Sequence, residues 1–227
     1  MEGIWKTYRL VSVLSDRNDS LALRIRHKKL SRDLVLHRFY KDQPVYELLC
    51  GVSCENLPAV YDVIVLADAV MVLEEFVEGM TLAEEMEIRK FPYAEAKKMI
   101  GQICTALSVL HENGFVHRDI KPQNLLITKE GRAVLIDFNI SRAVTDAEHD
   151  TVVMGTVGYA SPEQLGIAQS DARSDVYALG VLLNMMLTGV HPIETIPKGR
   201  PGRVIRRCME VNPRDRYQTV SRLKAAL

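Results

Sequence analysis

The chain has 227 residues, enough for one domain of ordinary size or two small lobes sharing a cleft. Apolar residues make up 47% and charged residues 26%, and Lys plus Arg matches Asp plus Glu at 29 each. This balance points away from nucleic acid and from an anionic membrane, and an aromatic content of 6% is thin for a base-stacking platform.

From the N-terminus, MEGIWKTYRL lacks the apolar run of a signal peptide. Residues 7–40 alternate apolar and polar residues in YRLVSVL, LALRIRH and DLVLHRF, which predicts strands separated by polar turns such as SDRNDS. Val45, Leu48, Leu49 and Val52 share a face, so a short helix is predicted over 44–53, followed by strands at 60–66 and 69–76. Beyond Gly79 the character changes. Thr81 and Glu84 form a capping box, and Ile100, Ile103, Cys104, Leu107 and Leu110 stripe a helix over 93–113 that ends at Asn113-Gly114. Short strands fit 125–128 and 133–137, and the last third is mainly helical.

Cys50, Cys54, Cys104 and Cys208 form no CxxC pair and have no matching His pair, the pattern of reduced thiols in a cytoplasmic protein. The longest apolar stretch, Val176 to Leu187, is broken by Asn184 and is too short to span a bilayer. The expected organisation is α+β: a strand-rich lobe over 1–75, a helical lobe over 76–227, and a hinge near Glu75–Gly79.

The chemistry concentrates in His117-Arg118-Asp119-Ile120-Lys121-Pro122-Gln123-Asn124. Phosphoryl transfer to an alcohol needs a carboxylate to orient the hydroxyl, a cation near the transferring phosphate, and oxygen ligands for Mg²⁺. Asp119, Lys121 and Asn124 supply these in one loop. Asp137, in Asp137-Phe138-Asn139 after the apolar AVLI, supplies a second metal-binding carboxylate.

This stretch resembles the catalytic loop of the eukaryotic-type (Hanks-type) Ser/Thr protein kinases. Gly155-Thr156 and Ser161-Pro162-Glu163 resemble the end of an activation segment. Asp175 resembles the buried carboxylate that supports the loop, and Arg216 the arginine that pairs with Glu163. The resemblance covers roughly residues 7–227. It implies a bilobal kinase fold and transfer of the ATP γ-phosphate to a protein Ser or Thr. Asp119 and Lys121 would be catalytic, Asn124 and Asp137 would bind Mg²⁺ or Mn²⁺, and Ala22, Val35, His37, Glu75, Val77 and Leu126 would line the nucleotide site. The implied partner is a protein substrate or a regulated protein, with no nucleic acid and no membrane within the chain.

The N-terminal lobe departs from the family pattern. Ser15, Arg17 and Ser20 stand where the phosphate-cradling glycines belong, His37 replaces the phosphate-pairing lysine, and Val45 replaces that lysine's glutamate partner. Glu74 falls at a usually apolar position behind the adenine. His37 and Glu74 are therefore expected to form a polar pair, unless a one-residue register shift turns Glu74 outward. Arg17, Arg24 and Arg26 are candidate replacement cations, with Arg17 first. Asn139 stands where a glycine usually follows Asp-Phe, and asparagine tolerates a left-handed backbone best after glycine. Only about a dozen residues follow Gly189 before the next helix, too few for the family's usual intervening helix. Thr145 and Thr151 are candidate phosphorylation sites, with Arg118 placed to meet such a phosphate.

Two readings follow: a Ser/Thr kinase with an atypical, weakened nucleotide grip, and a pseudokinase that serves as a binding or regulatory module. A third, a small-molecule phosphotransferase, is disfavoured by GTVGYASPE, which looks like peptide-docking machinery.

Overall fold

The computed structural model describes residues 3–139, 141–143, 156, 158–165 and 170–227. The chain divides into two compact units, Met1–Glu78 and Gly79–Leu227. β5 runs to Glu75, and the buried Val77 just beyond it still belongs to the first unit.

The first unit comprises α1 (Ile4–Thr7), β1 (Tyr8–Arg17), β2 (Ser20–His27), β3 (Asp33–Phe39), α2 (Pro44–Leu49), β4 (Val60–Val65) and β5 (Val70–Glu75). The strands form one antiparallel sheet in the order β1-β2-β3-β5-β4. Strand alternation gives it two faces. On one, Ile25, Leu34, Leu36 and Met71 make a small core to which Ile4, Tyr8, Leu23 and Leu73 add. On the other, Phe39 stacks on Tyr46 of α2 with ring centroids 5.2 Å apart. SDRNDS is less of a turn than its composition suggests. β1 keeps its pairing through Arg17 opposite Ser20, which leaves Asn18-Asp19 as a two-residue turn. The predicted helix over 44–53 is shorter, Pro44–Leu49, with Val45, Tyr46 and Leu49 buried.

The second unit contains β6 (Met80–Thr81), α3 (Leu82–Ile88), α4 (Tyr93–Glu112), β7 (Phe115–Val116), β8 (Leu125–Ile127), β9 (Ala133–Leu135), β10 (Arg142–Ala143), α5 (Ala172–Thr188), α6 (Gly199–Cys208) and α7 (Val220–Ala226). The predicted capping box starts α3: Thr81 Oγ1 accepts from the Glu84 amide, while Glu84 accepts from the Thr81 amide. The apolar stripe of α4 is buried along its length. α5 is apolar around most of its circumference, as a central helix must be, with Val176, Leu179, Val181, Leu182, Leu183 and Met186 buried. It ends on Gly189 at φ 79°, a left-handed position where glycine carries no Cβ penalty. Residues 189–198 then lead directly to α6 with no helix between, as the short spacing predicts.

α6 lies against α5 because Gly180 allows it. A Cβ at Gly180 would overlap the Cβ of Cys208, and Met209 and the Ile205 carbonyl are also close. Gly180→Ala is expected to destabilise the fold by about 1–3 kcal/mol through overpacking, read as a lower urea midpoint with an unchanged m-value.

Candidate functional site

The loop from His117 to Asn124 is organised from beneath by a buried carboxylate. Asp175, on the first turn of α5 and 1% exposed, accepts the backbone N–H of His117 at 3.0 Å and that of Arg118 at 2.8 Å. It also contacts His111 Nε2 at 2.8 Å. Burial pushes the Asp175 carboxyl up, but the bond to His111, nearby imidazole charge and the Arg118 amide outweigh it and hold the group below the ordinary aspartate range.

Arg118 adopts φ 72°, an uncommon conformation for a long side chain, worth about 1–3 kcal/mol of strain. Several bonds over-determine it. Its amide is held by Asp175, its carbonyl accepts from Gln164 Nε2 at 2.8 Å, and its Nε donates to Ser170 Oγ at 2.7 Å. Arg118 is buried, so its guanidinium is already engaged within the unit rather than extended toward solvent. Thr145 and Thr151 lie outside the described residues.

Beyond this left-handed turn, Asp119 collects three donors. Lys121 Nζ lies 2.6 Å from Oδ2, Thr156 Oγ1 donates to Oδ1 at 2.7 Å, and Asn124 Nδ2 donates to Oδ2 at 2.9 Å. Lys121 also donates to Thr156 Oγ1 at 3.0 Å, so the lysine and threonine brace each other. Burial alone would raise the Asp119 pKa. The bonds from Lys121 and Thr156 and the Lys121 charge win, and the carboxyl is held below the usual aspartate value. The Asn124 amide nitrogen is spent on Asp119, through both its carboxylate and its backbone carbonyl, which turns Oδ1 the other way.

Asp137 follows β9 and takes φ 66°. The left-handed residue of the Asp-Phe-Asn segment is thus the aspartate itself, and Asn139 donates its amide to Asp137 Oδ1 at 3.3 Å instead of adopting a glycine-like backbone. Phe138 is buried edge-on to His117, with centroids 5.4 Å apart. Leu126 sits mid-β8, paired with Thr81 and Val134.

The first unit carries the remaining predicted residues. Register sets Ala22 opposite His37 and Val35 opposite Glu74, which puts all four on one sheet face. His37 Nε2 lies 2.8 Å from Glu74 Oε1, so the register that would have turned Glu74 outward is not the one adopted. His37 also stacks on Phe39 at 5.3 Å. Glu75 faces the other way, opposite Leu34, and is joined to Ala59 through its amide and its carboxylate. Two of the three candidate cations are engaged elsewhere, since Arg24 and Arg26 both bind Asp33. Arg17 ends β1, exposed, at the far end of the hairpin.

Comparison with known sequences decides the family. The sequence model described as the protein kinase domain matches residues 28–225. The chain belongs to the protein kinase family. A protein named as a probable serine/threonine-protein kinase of Clostridium perfringens is 29% identical over 256 aligned positions, 95% of this chain and 37% of that protein. PrkC, a serine/threonine-protein kinase of Bacillus subtilis, is 32% identical, covering 85% of this chain and 30% of its own. PknB of Mycobacterium leprae is 33% identical over 69% of this chain and 29% of its own. The chain spans about a third of the length of these relatives.

Within this kinase domain, Gln164, Ser170 and His111 escaped the reading of the sequence. Each reaches the loop or its support through a hydrogen bond across a long separation, which leaves no period or spacing to detect. The long-range pair that was anticipated is present. Arg216, fully buried, binds both oxygens of Glu163 at 2.6 and 2.8 Å and the carbonyls of Glu210 and Arg173 at 2.7 and 3.0 Å. Burial favours the neutral form of Glu163, but the Arg216 bond prevails and its pKa is lowered. Arg216→Ala should therefore cost about 3–5 kcal/mol, because it strands a buried carboxylate. The deficit relative to the parent should narrow below about pH 4, where protonation of Glu163 removes the pair's contribution from the parent as well. Urea unfolding across pH measures both.

Proposed function

We propose that this chain is the catalytic domain of a serine/threonine protein kinase, transferring the ATP γ-phosphate to a protein hydroxyl, with an altered nucleotide grip. The observation that carries this reading is the Asp119 carboxylate held by Lys121, Thr156 and Asn124. A carboxylate whose pKa is lowered stays ionised through neutral pH and is a weak base. It therefore orients the incoming hydroxyl and takes its proton late, which suits the loose transition state of phosphoryl transfer. Lys121 lies against Asp119 and Thr156, where its charge counters that building on the transferring group.

Asn124 Oδ1 and the Asp137 carboxylate would supply oxygen-only donors, which suit Mg²⁺ or Mn²⁺ and not a thiolate-preferring metal. Such an ion, when bound, neutralises phosphate charge. Within the first unit, Ala22, Val35 and His37 share the sheet face proposed to meet the nucleotide. No helix among the described residues is long and apolar enough to cross a membrane, and a cytoplasmic kinase domain acting on protein substrates is the accompanying proposal.

A second reading, a pseudokinase that binds without transferring, is favoured by the first unit. His37 is paired with Glu74 in place of a lysine–glutamate pair, and Arg24 and Arg26 are spent on Asp33. Incubation with Mg²⁺-ATP and a generic basic protein, followed by mass spectrometry, separates the two. The kinase reading expects phosphate on Ser or Thr, lowered about 10²–10⁴-fold by Asp119→Asn. No phosphate with either Mg²⁺ or Mn²⁺ would overturn it in favour of the binding module.

A further inference from the structure

The second unit carries a shallow, open, charged depression on its surface, away from the Asp119 loop in sequence and unused by the chemistry above. It is lined by Arg203, Arg206, Arg207, Glu210, Arg214 and Asp215, all of them exposed. Four arginines meet two carboxylates in a chain whose overall charge is zero.

The arrangement is costly for the helix itself. Arg203, Arg206 and Arg207 stand at i, i+3 and i+4 on α6, a spacing at which like charges repel. The α6 C-terminal dipole accounts for Arg206 and Arg207 in its last turn. It does not account for Arg203, nor for Arg214, which borders the same depression from the 3-10 turn Pro213–Asp215. Among the described residues the guanidiniums of Arg203, Arg206 and Arg214 make no ion pair, even with Glu210 and Asp215 beside them. Arg207 lies over the Tyr217 ring at 4.6 Å.

The wall is preorganised. Arg216, adjacent to the turn, is locked to Glu163 and donates to the carbonyls of Glu210 and Val211, while Gln218 Nε2 donates to those of Pro213 and Arg214. The direct run from α5 to α6, with no helix between them, accompanies an outer face of α6 that is exposed at Arg203, Arg206 and Arg207.

The geometry points to a docking site for a phosphorylated peptide, with a phosphoserine or phosphothreonine side chain held between Arg203, Arg206 and Arg214. Guanidinium forks match phosphate oxygens in bidentate fashion. Glu210 and Asp215 beside the arginines would repel a continuous anionic surface while accepting peptide N–H groups. Nothing in the inference depends on catalysis at Asp119.

The test is fluorescence anisotropy with the full chain, without nucleotide, at about 150 mM salt so that diffuse attraction is screened. The probes are a short phosphothreonine peptide, its unphosphorylated twin and vesicles containing phosphatidylserine. The phosphopeptide is expected to bind at least about tenfold more tightly than its twin, as charge-assisted forks require. The triple variant Arg203→Ala, Arg206→Ala, Arg214→Ala should erase that preference without changing the melting temperature. Should its melting change, the charge-keeping Arg→Lys triple variant replaces it and is expected to lose most of the preference. Equal binding of the two peptides, a preference untouched by the variants, or binding to vesicles alone would each overturn the assignment.

Discussion

One buried carboxylate sets the geometry on which the proposed chemistry rests. Asp175 is fully enclosed at the start of the central helix, and it is tolerable there only because two backbone amides and an imidazole converge on it. Those amides belong to His117 and Arg118, so satisfying the charge and bending the loop are the same event. The left-handed Arg118 follows from that, and the position of Asp119 follows from Arg118. Gln164 and Ser170 add bonds from a segment remote in sequence, and the loop geometry is therefore shared between α5 and the residues preceding it.

A second constraint governs the first unit. A histidine and a glutamate have been placed on one sheet face, each poor company for an apolar interior alone. Their mutual contact, together with stacking on Phe39, makes the arrangement tenable. Val45, on α2, is buried and apolar, so it adds no further charge to that interior.

How much of this was legible in the sequence depended on the type of signal. Period-2 and period-3.6 patterns located the principal strands and α4, because burial of one face leaves its mark at every second or third residue. The Thr81–Glu84 box was legible since both partners lie within one turn. The His37–Glu74 contact could be framed but not decided, because strand register settles which face a side chain takes, and register arises from pairing across the sheet. The family pattern points to Asn139 for the left-handed conformation, yet the chain turns at Asp137. Propensity names the residue that tolerates a conformation, while the surrounding bonds choose where it occurs. The family relation added what periodicity could not, the correspondence of Asp175 and Arg216 with partners more than fifty residues away.

The central claim is that Asp175 imposes the loop conformation by holding two amides in a buried site. Hydrogen exchange resolved at single residues tests this most directly. The His117 and Arg118 amides should exchange only through global unfolding, as slowly as the core of α4, and Asp175→Asn should speed the exchange of both. Exchange of these two amides at the rate of an exposed turn such as Glu130-Gly131 in the unmodified chain would contradict the account.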